Sequence, residues 1–515
     1  MIQMKSRKNC DGTFRLMIVT VAIVTQLILF AYIALLLRHY AFFAYAFLEV
    51  FGLLIVFYII DRNKTSAYTV AWSIIILIMP VFGGLVYLMW GRSATNTKKS
   101  KHIRKILVES LRKFKHDPKL RLALQEQYPD CNKVSVYLEN EGFPLYKNTK
   151  CTYYPLGENH FKAMIEDLKR ARKFIFLEYY ILSKGFLWDE IYEILREKAA
   201  QGVEVRLMYD DFGSIMTAPD QLHKTLKDDH IQVYRFNPVH CKLSRLFINY
   251  RNHQKVAVID GNVGYTGGTN LADEYANIYE KHGHWKDTAI RLEGEAVYSL
   301  TVTFLQMWET ESNSSEDYEK YSVTGTYVQD ETEGFYQPFN DGPVNHPHNP
   351  AEATYRQIIY SAREYVYITT PYLVVEDNMT DALCLAAKSG VDVRIITPKI
   401  WDHWYVHMVT RSNYGRLLKN GVRIYEYTPG YIHAKTIISD DNHAVTGSIN
   451  MDYRSFFLHF ENGVWICGAP VLQEIRHDIE SLFPISEEIT LEQWKNRPVH
   501  SKIIQFVLKL LIPLL

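Results

Sequence analysis

The chain has 515 residues, with 57 basic and 57 acidic side chains and therefore a formal net charge of zero. This length exceeds what one ordinary hydrophobic core holds, so two or three folded units are expected. Hydrophobic residues make up 48% and charged residues 22% of the chain, which excludes disordered and collagen-like proteins. The six cysteines are scattered along the chain, which excludes a dense disulfide framework.

The N-terminal region contains three apolar runs. Leu16–Leu37 and Thr65–Trp90 contain no charged side chain, and Tyr40–Ile60 contains only Glu49. A helix needs about 20 apolar residues to cross the hydrocarbon core, whereas the apolar part of a signal peptide spans only about 7–15. We therefore predict an anchor of N-terminal transmembrane helices over residues 1–92. Buried core helices are the alternative.

A strongly basic stretch follows the apolar runs. Residues 91–120 carry ten basic side chains against Glu109 and Asp117, which leaves a charge of +8 here and −8 over the rest of the chain. Such a cluster favours the cytoplasmic side of a membrane and attracts anionic headgroups. We predict a basic juxtamembrane linker over residues 93–149. Basic residues near the N-terminus favour the same side, so two crossings plus a re-entrant or interfacial segment compete with three crossings.

Short β-rich runs alternate with amphipathic helical patterns from about residue 150, and the pattern occurs twice. Ala171–Glu178 resembles Ala362–Thr369, and a Gly-Val-acid-Val-Arg segment follows in both copies. Each copy reads as helix, strand, helix and second strand, with the glycine ending the second helix. We predict two similar α/β lobes with pseudo-two-fold symmetry, at residues 150–340 and 341–500.

Each copy ends in the same signature with identical spacing. The first copy reads His253-Gln-Lys255, Asp260 and Gly-Gly-Thr-Asn270, and the second reads His433-Ala-Lys435, Asp440 and Gly-Ser-Ile-Asn450. A single His-x-Lys motif is weak support for catalysis. Two complete copies at matched spacing indicate a duplicated functional unit.

These residue types suit the transfer of a phosphodiester group. A histidine and a lysine two positions apart lie on one face of a strand. Two lysines and the amides of Asn270 and Asn450 would bind the nonbridging phosphate oxygens, which is the role a metal ion has elsewhere. One histidine would attack phosphorus, while the other protonates the departing alcohol and then deprotonates the incoming one.

Four acidic residues are candidates for roles beside the histidines. Asp260 and Asp440 belong to the signature and are predicted to be catalytic, although their odd spacing from the lysines leaves a structural turn role open. Asp287 and Glu461 follow the two signatures, and each is predicted to orient a histidine by fixing its tautomer. An ordinary surface acid is the alternative for these two.

The paired motifs resemble those of the phospholipase D superfamily over about residues 150–500. Three further stretches are similar to bacterial cardiolipin synthases, namely the apolar segment that ends at Gly91-Arg92, the region Gly268–Tyr275 with Trp285-Lys-Asp287, and Asn450–Phe456. The resemblance implies a bilobed α/β fold, a phosphohistidine intermediate, no metal and no other cofactor. It further implies that His253 is the nucleophile and His433 the acid/base.

The same resemblance implies that two phosphatidylglycerol molecules are condensed into cardiolipin with release of glycerol. The expected location is the bacterial cell membrane, with a multi-pass anchor and cytoplasmic lobes, and the expected partners are anionic phospholipids and not nucleic acid. Hydrolysis or transfer to another alcohol is the alternative reaction, and a nuclease or a non-catalytic scaffold is a further alternative. Residues 501–515 are predicted as an interfacial helix, or else as a helix packed on the lobes. The oligomeric state is left open.

Overall fold

The computed structural model describes residues 41–62, 66–87, 98–238, 250–322, 334–344 and 349–511, together with single positions between residues 21 and 32. They fall into two compact units. The small unit comprises Met1–Asn96, Val239–Asn249 and Phe506–Leu515, and the large unit comprises Thr97–Pro238 and Tyr250–Gln505. Most of the apolar run Leu16–Leu37, and Gly91-Arg92, lie outside the described residues.

The described N-terminal part of the small unit is helical. Its helices are Ala41–Arg62, Ser66–Ile78 and Pro80–Val86. The apolar run Thr65–Trp90 is divided into two helices at Pro80, because proline cannot donate a backbone hydrogen bond inside a helix. Among the described residues, no helix combines the length and the apolar character that a membrane crossing requires.

The segment predicted as a linker, residues 93–149, holds packed helices from residue 98 onwards. They are Lys98–Leu111, Pro118–Gln127 and Asn132–Asn140. In the first of them Ile103, Ile106 and Leu107 are buried on one face, while most of its basic side chains lie on the exposed face. The segment predicted as a linker thus contains an amphipathic helix, whose apolar period is hard to see within the run of basic residues.

Two sheets of similar strand order form the large unit. The strands are β1 Thr149–Tyr154, β2 Phe174–Tyr179, β3 Glu204–Asp210, β4 Gln232–Phe236, β5 Arg251–Asn252, β6 Val256–Ile259, β7 Val263–Gly267, β8 His284–Lys286, β9 Ala289–Gly294, β10 Phe335–Asp341, β11 Tyr365–Thr369, β12 Leu373–Val374, β13 Asp392–Pro398, β14 Arg423–Tyr427, β15 Gly430–Ile432, β16 Thr436–Ser439, β17 His443–Gly447, β18 Met451–Asp452, β19 His459–Cys467 and β20 Ser486–Ile489. The first sheet has the order β1-β9-β7-β6-β2-β3-β4, and the second has the order β10-β19-β17-β16-β11-β13-β14-β20.

Helices connect and cover the strands of the two sheets. The further α-helices are Gly157–Arg170, Phe186–Ala200, Asp211–Ser214, Leu222–Asp228, Val297–Ser312, Pro350–Ser361, Asp377–Lys388, Trp404–Lys419, Tyr453–Phe457, Val471–Leu482, Leu491–Lys495 and Val499–Leu511. Short 3₁₀ helices are Asp273–Ala276, Tyr318–Tyr321 and Phe483–Ile485. The mixed α/β fold predicted for the repeat is therefore confirmed.

The two sheet orders correspond strand by strand, apart from β20 at the edge of the second sheet. The duplication inferred from the signatures is thus present in the strand order. Strand β10 pairs with β19 along its full length up to Asp341. The second lobe therefore begins before residue 341, and the predicted boundary between 150–340 and 341–500 falls inside a strand.

One hydrophobic cluster contains residues of both sheets. Phe176 of β2 and Ile466 of β19 belong to this shared cluster, while separate clusters cover the other side of each sheet. The helix Val297–Ser312 lies in the shared cluster and buries Phe304 and Trp308 there. Full burial of one such side chain contributes about 1.5–3 kcal/mol. The two lobes therefore form one folded unit.

Candidate active site

Each signature histidine follows a strand that pairs with the opposite lobe. Strand β5 pairs in parallel with β19, and β15 pairs in parallel with β8. The backbone N–H of His253 donates to the carbonyl oxygen of Phe460 at 2.9 Å, and the N–H of His433 donates to that of Lys286 at 2.7 Å. Each histidine is therefore held against a strand of the other half of the chain.

The predicted acids bind these histidines in a crossed arrangement. Nδ1 of His253 lies 2.8 Å and 3.0 Å from the two carboxylate oxygens of Glu461. Nδ1 of His433 lies 2.6 Å from Oδ2 of Asp287. Both acids are fully buried, so neither is an ordinary surface acid. A carboxylate that accepts from Nδ1–H leaves Nε2 of each imidazole as the reactive nitrogen.

Burial favours the uncharged forms of both histidines in the substrate-free protein. Desolvation, followed by the positive charge of Lys255, lowers the pKa of His253 well below its ordinary value. Desolvation and then Lys435 lower the pKa of His433 to about 4. Neutral imidazoles with an engaged Nδ1 can act as a nucleophile or as a general base.

The two signature lysines are buried beside the histidines, each with 1% of its surface exposed. Nζ of Lys255 donates to the carbonyl oxygen of His253 at 2.6 Å, and Nζ of Lys435 donates to that of His433. Desolvation lowers the pKa of Lys255 to about 7 and that of Lys435 to about 8. An anionic phosphate would favour their charged forms, so the pair is suited to bind one.

One of the positions at which the two signatures differ, Gly268 in the first and Ser448 in the second, lies beside the two acids. A Cβ atom on Gly268 would lie 2.0 Å from Oδ1 of Asp287, so this position requires glycine. The second half has Ser448 there, and its hydroxyl donates to Glu461. Oγ of Ser455 also donates to Glu461, at 2.7 Å. Desolvation raises the pKa of Glu461, and Lys255 and these two hydroxyls oppose that rise by favouring the ionised carboxylate.

The asparagines predicted to bind phosphate are also buried. Oδ1 of Asn270 accepts from the backbone N–H of Ile181 at 3.0 Å, and its Nδ2 donates to the hydroxyl of Tyr275 at 2.9 Å. Oδ1 of Asn450 has no hydrogen-bond partner within the described ranges. Asn270 is therefore engaged in the protein, and phosphate binding by either amide stays a prediction.

The aspartates of the signatures lie at the other ends of their strands from the lysines. Asp260 follows β6, and its carboxylate accepts from the backbone N–H groups of residues 172–174, the shortest distance being 2.6 Å. Asp440 accepts from residues 363–365 in the same way, the shortest distance being 2.8 Å. These contacts indicate a structural role for both aspartates and do not support the predicted catalytic one.

We expect Asp260→Ala to destabilise the fold while leaving kcat of the folded protein close to that of the wild type. The substitution leaves three backbone N–H groups without their acceptor, which costs about 1–3 kcal/mol or more of unfolding free energy. Denaturant unfolding and activity per folded molecule measure the two effects. Asp228→Ala, at an exposed helix position, is the control. A loss of kcat at unchanged stability would restore the catalytic interpretation.

The ring of His459, beside His253, was not among the predicted site residues. The ring of His459 lies 5.6 Å from that of His253, and the ring of Trp285 lies 5.7 Å from that of His433. His459 and Trp285 each stand two residues before the acid of their half. Neither ring nitrogen of His459 has a hydrogen-bond partner in the described part of the chain. The sequence signal that could have identified His459 is its position two residues before Glu461, which matches the position of Trp285 before Asp287.

The surroundings of His253 favour an anion over a cation. His253, His459 and Glu461 bring possible metal-ligand atoms within 4.8 Å of one another. After desolvation, however, the positive charges of Arg454 and Lys255 are the largest causes that lower the pKa of His459. The same positive charges would repel a divalent cation and attract a phosphate group.

Two α/β lobes with buried lysines and crossed acid–histidine pairs define a phosphodiester-transferring enzyme of the phospholipase D type. The family model described as "Cardiolipin synthase, PLD-like domain" matches residues 164–308 and 355–483. A second model, "Phospholipase_D-nuclease N-terminal", matches residues 50–92. The chain belongs to the cardiolipin synthase family of the phospholipase D superfamily.

Relatives match most of the chain. A cardiolipin synthase from Listeria monocytogenes serotype 4b is 32% identical over 467 residues, which cover 88% of this chain and 95% of the relative. An uncharacterized protein from Streptococcus mutans is 38% identical over 462 residues, which cover 89% of this chain and 99% of the relative. The fold is similar to the crystal structure of phosphatidylserine synthase from Haemophilus influenzae, with a TM-score of 0.58 and 14% identity over 74% of this chain and 97% of that chain.

Proposed function

We propose that the protein is a membrane-bound phosphatidyltransferase that condenses two phosphatidylglycerol molecules into cardiolipin and glycerol. The observation that carries the proposal is the pair of buried histidines, each bound at Nδ1 by an acid of the other half and each accompanied by a buried lysine. Relatives named cardiolipin synthase support the substrate class.

The first half-reaction forms a covalent intermediate. Nε2 of His253 attacks the phosphorus of one phosphatidylglycerol, and the bond from phosphorus to the glycerol oxygen breaks. His433 is charged in the substrate complex, because Asp287 and the anionic phosphate favour its protonated form, and its Nε2–H gives a proton to that oxygen as glycerol departs. Glu461 and Asp287 stabilise the charged imidazole rings, while Lys255 and Lys435 neutralise the nonbridging oxygens.

The second half-reaction transfers the phosphatidyl group. Neutral His433 takes the proton from the glycerol hydroxyl of a second phosphatidylglycerol, and the hydroxyl oxygen attacks phosphorus. The bond from phosphorus to His253 breaks, which restores a neutral imidazole and releases cardiolipin. Protons balance over the cycle, because His433 gives one in the first half and regains one in the second.

The location proposed for the enzyme is the bacterial cell membrane, with a multi-pass N-terminal anchor and cytoplasmic lobes. The N-terminal family match over residues 50–92 supports an anchor, and the basic exposed face of Lys98–Leu111 suits anionic phospholipids. The helix Val499–Leu511 exposes Val499 and Ile503, which suits an interfacial position. Nucleic acid is not among the proposed partners.

Purified protein in liposomes of phosphatidylglycerol tests the proposal. We expect cardiolipin and glycerol to appear in equal amounts, as measured by mass spectrometry of the lipids and an enzymatic glycerol assay. Phosphatidic acid as the sole lipid product would show hydrolysis and contradict the synthase reaction. Cleavage of single-stranded DNA that vanishes in His253→Ala would favour the nuclease alternative instead.

We expect kcat/KM for phosphatidylglycerol to fall as the pH rises through about 7 and 8. Lys255 and Lys435 carry their positive charges below these lowered pKa values and lose them above. Bound phosphate raises both pKa values, so the decline of kcat should lie at higher pH. Lys255→Arg should flatten the alkaline decline, because arginine stays charged. A constant kcat/KM over this range in the wild type would contradict the assignment.

A further inference from the structure

The edge of the two sheets that carries the signatures also carries exposed apolar loops. Strands β2, β3 and β7 end at the edge where β6 begins, and β13 ends at the edge where β16 begins. The segments that follow these strand ends, including the first residues of two helices, bear large apolar side chains. They are Phe186, Met216, Ile278, Tyr279, Trp401 and Trp404, which are between 49% and 77% exposed. We call these six side chains the apolar rim.

The loops of the apolar rim are linked to one another on the first lobe. The backbone N–H of Lys184 donates to the carbonyl oxygen of Thr217 at 2.9 Å, which joins the loops of Phe186 and Met216. The N–H of Phe186 donates to the carboxylate of Asp273 at 3.0 Å, which adds the loop of Ile278 and Tyr279. These three loops therefore form one continuous border.

The second lobe completes this border next to the active site. Asp402, between Trp401 and Trp404, accepts from the hydroxyl of Tyr372. Its charge also acts on His282 of the first lobe and on Lys435 of the active site. Tyr275 belongs to the segment that also carries Ile278 and Tyr279, and its ring lies 5.4 Å from that of His433. The apolar rim thus lies at the same edge of the two sheets as the buried histidines.

We propose that the apolar rim is a membrane-docking surface of the large unit and inserts into a phospholipid bilayer around the entrance to the active site. The inference rests on the proposed function, because a lipid phosphate has to leave the bilayer surface to reach a buried histidine. Exposed aromatic side chains grouped at one border are costly in water and suit the lipid interface, especially tryptophan and tyrosine. Docking brings the headgroup to the signatures and keeps water from the intermediate.

The test uses the full chain and supplies phosphatidylglycerol in two forms, as vesicles and as dissolved short-chain monomers. Trp401→Ser/Trp404→Ser is expected to lower activity on phosphatidylglycerol vesicles by about tenfold or more, since two apolar side chains no longer insert. Activity on short-chain phosphatidylglycerol dissolved as monomers should stay unchanged. The matched control is Leu122→Ser/Leu385→Ser, two side chains with 60% and 58% exposure outside the apolar rim, and vesicle activity should be kept.

Fluorescence decides the proposal independently of the reaction. Lipids brominated in their acyl chains should quench tryptophan emission of the wild type more strongly than that of Trp401→Phe/Trp404→Phe. This comparison holds even if the wild type makes no cardiolipin, so failure of the proposed function is recognised separately. Equal quenching in both proteins, or an equal loss of activity with vesicles and monomers, would overturn the proposal. A change of oligomeric mass in the serine variant without a quenching difference would indicate contact between copies instead.

Discussion

His253→Ala and His433→Ala are each expected to lower cardiolipin formation by about 10⁴-fold or more, because each removes a group that bonds to the reacting atoms or moves their proton. Both rings are at least nine-tenths buried and oriented by a carboxylate, so no solvent group replaces them. Initial rates on phosphatidylglycerol vesicles measure the losses. His477→Ala, at an exposed helix position, is the control and should keep full activity.

A substrate with a weakly basic leaving group separates the two histidine roles. With p-nitrophenol in place of glycerol, His433→Ala should still release a stoichiometric burst of p-nitrophenol, because this leaving group departs without a proton. His253→Ala should release none, because it cannot form the covalent intermediate. A burst from His253→Ala and none from His433→Ala would reverse the assignment of nucleophile and acid/base.

Glu461→Gln and Asp287→Asn are expected to lower cardiolipin formation by about 10²–10⁴-fold, because an amide no longer holds the reactive tautomer or stabilises the imidazolium. Because each acid binds the histidine of the other half, the two variants should differ in their reaction with the p-nitrophenol substrate. Glu461→Gln should resemble His253→Ala with the p-nitrophenol substrate, while Asp287→Asn should resemble His433→Ala. Stopped-flow absorbance measures the burst in each variant, and Asp441→Asn, a surface acid, serves as the control.

A double-mutant cycle tests the crossed pairs directly. The loss in Glu461→Gln/His253→Ala should be close to that in His253→Ala alone, since the acid acts through this histidine. In the double variant Glu461→Gln/His433→Ala, the loss of activity should be closer to the combined losses of the two single variants. Strong coupling of Glu461 to His433 instead would indicate pairs within each half and would contradict the geometry.

The duplication was predictable because spacing is a property of the chain itself. The two copies from histidine to asparagine have the same length, and the two sheets repeat the same strand order. The crossed partners were not predictable in the same way. They depend on the parallel registers of β5 with β19 and of β15 with β8, which are set by tertiary pairing and not by local sequence.

Local sequence patterns gave an incomplete description of two segments. Charge dominated residues 93–149, although the period of Ile103, Ile106 and Leu107 already marked an amphipathic helix. The signature left a catalytic and a structural role open for Asp260, and the contacts of its carboxylate with three backbone N–H groups support the structural role. His459 was missed because an isolated histidine is recognised as part of a site only once the fold brings it beside His253.

The covalent intermediate gives the most direct test of the central claim. Wild-type enzyme would be mixed with phosphatidylglycerol labelled in its phosphate, quenched in alkali to preserve phosphohistidine, digested and analysed by tandem mass spectrometry. We predict that the label lies on the peptide containing His253 and is lost when unlabelled phosphatidylglycerol is added before the quench, as labelled cardiolipin forms. A label on His433, or cardiolipin formation without any labelled histidine, would contradict the mechanism.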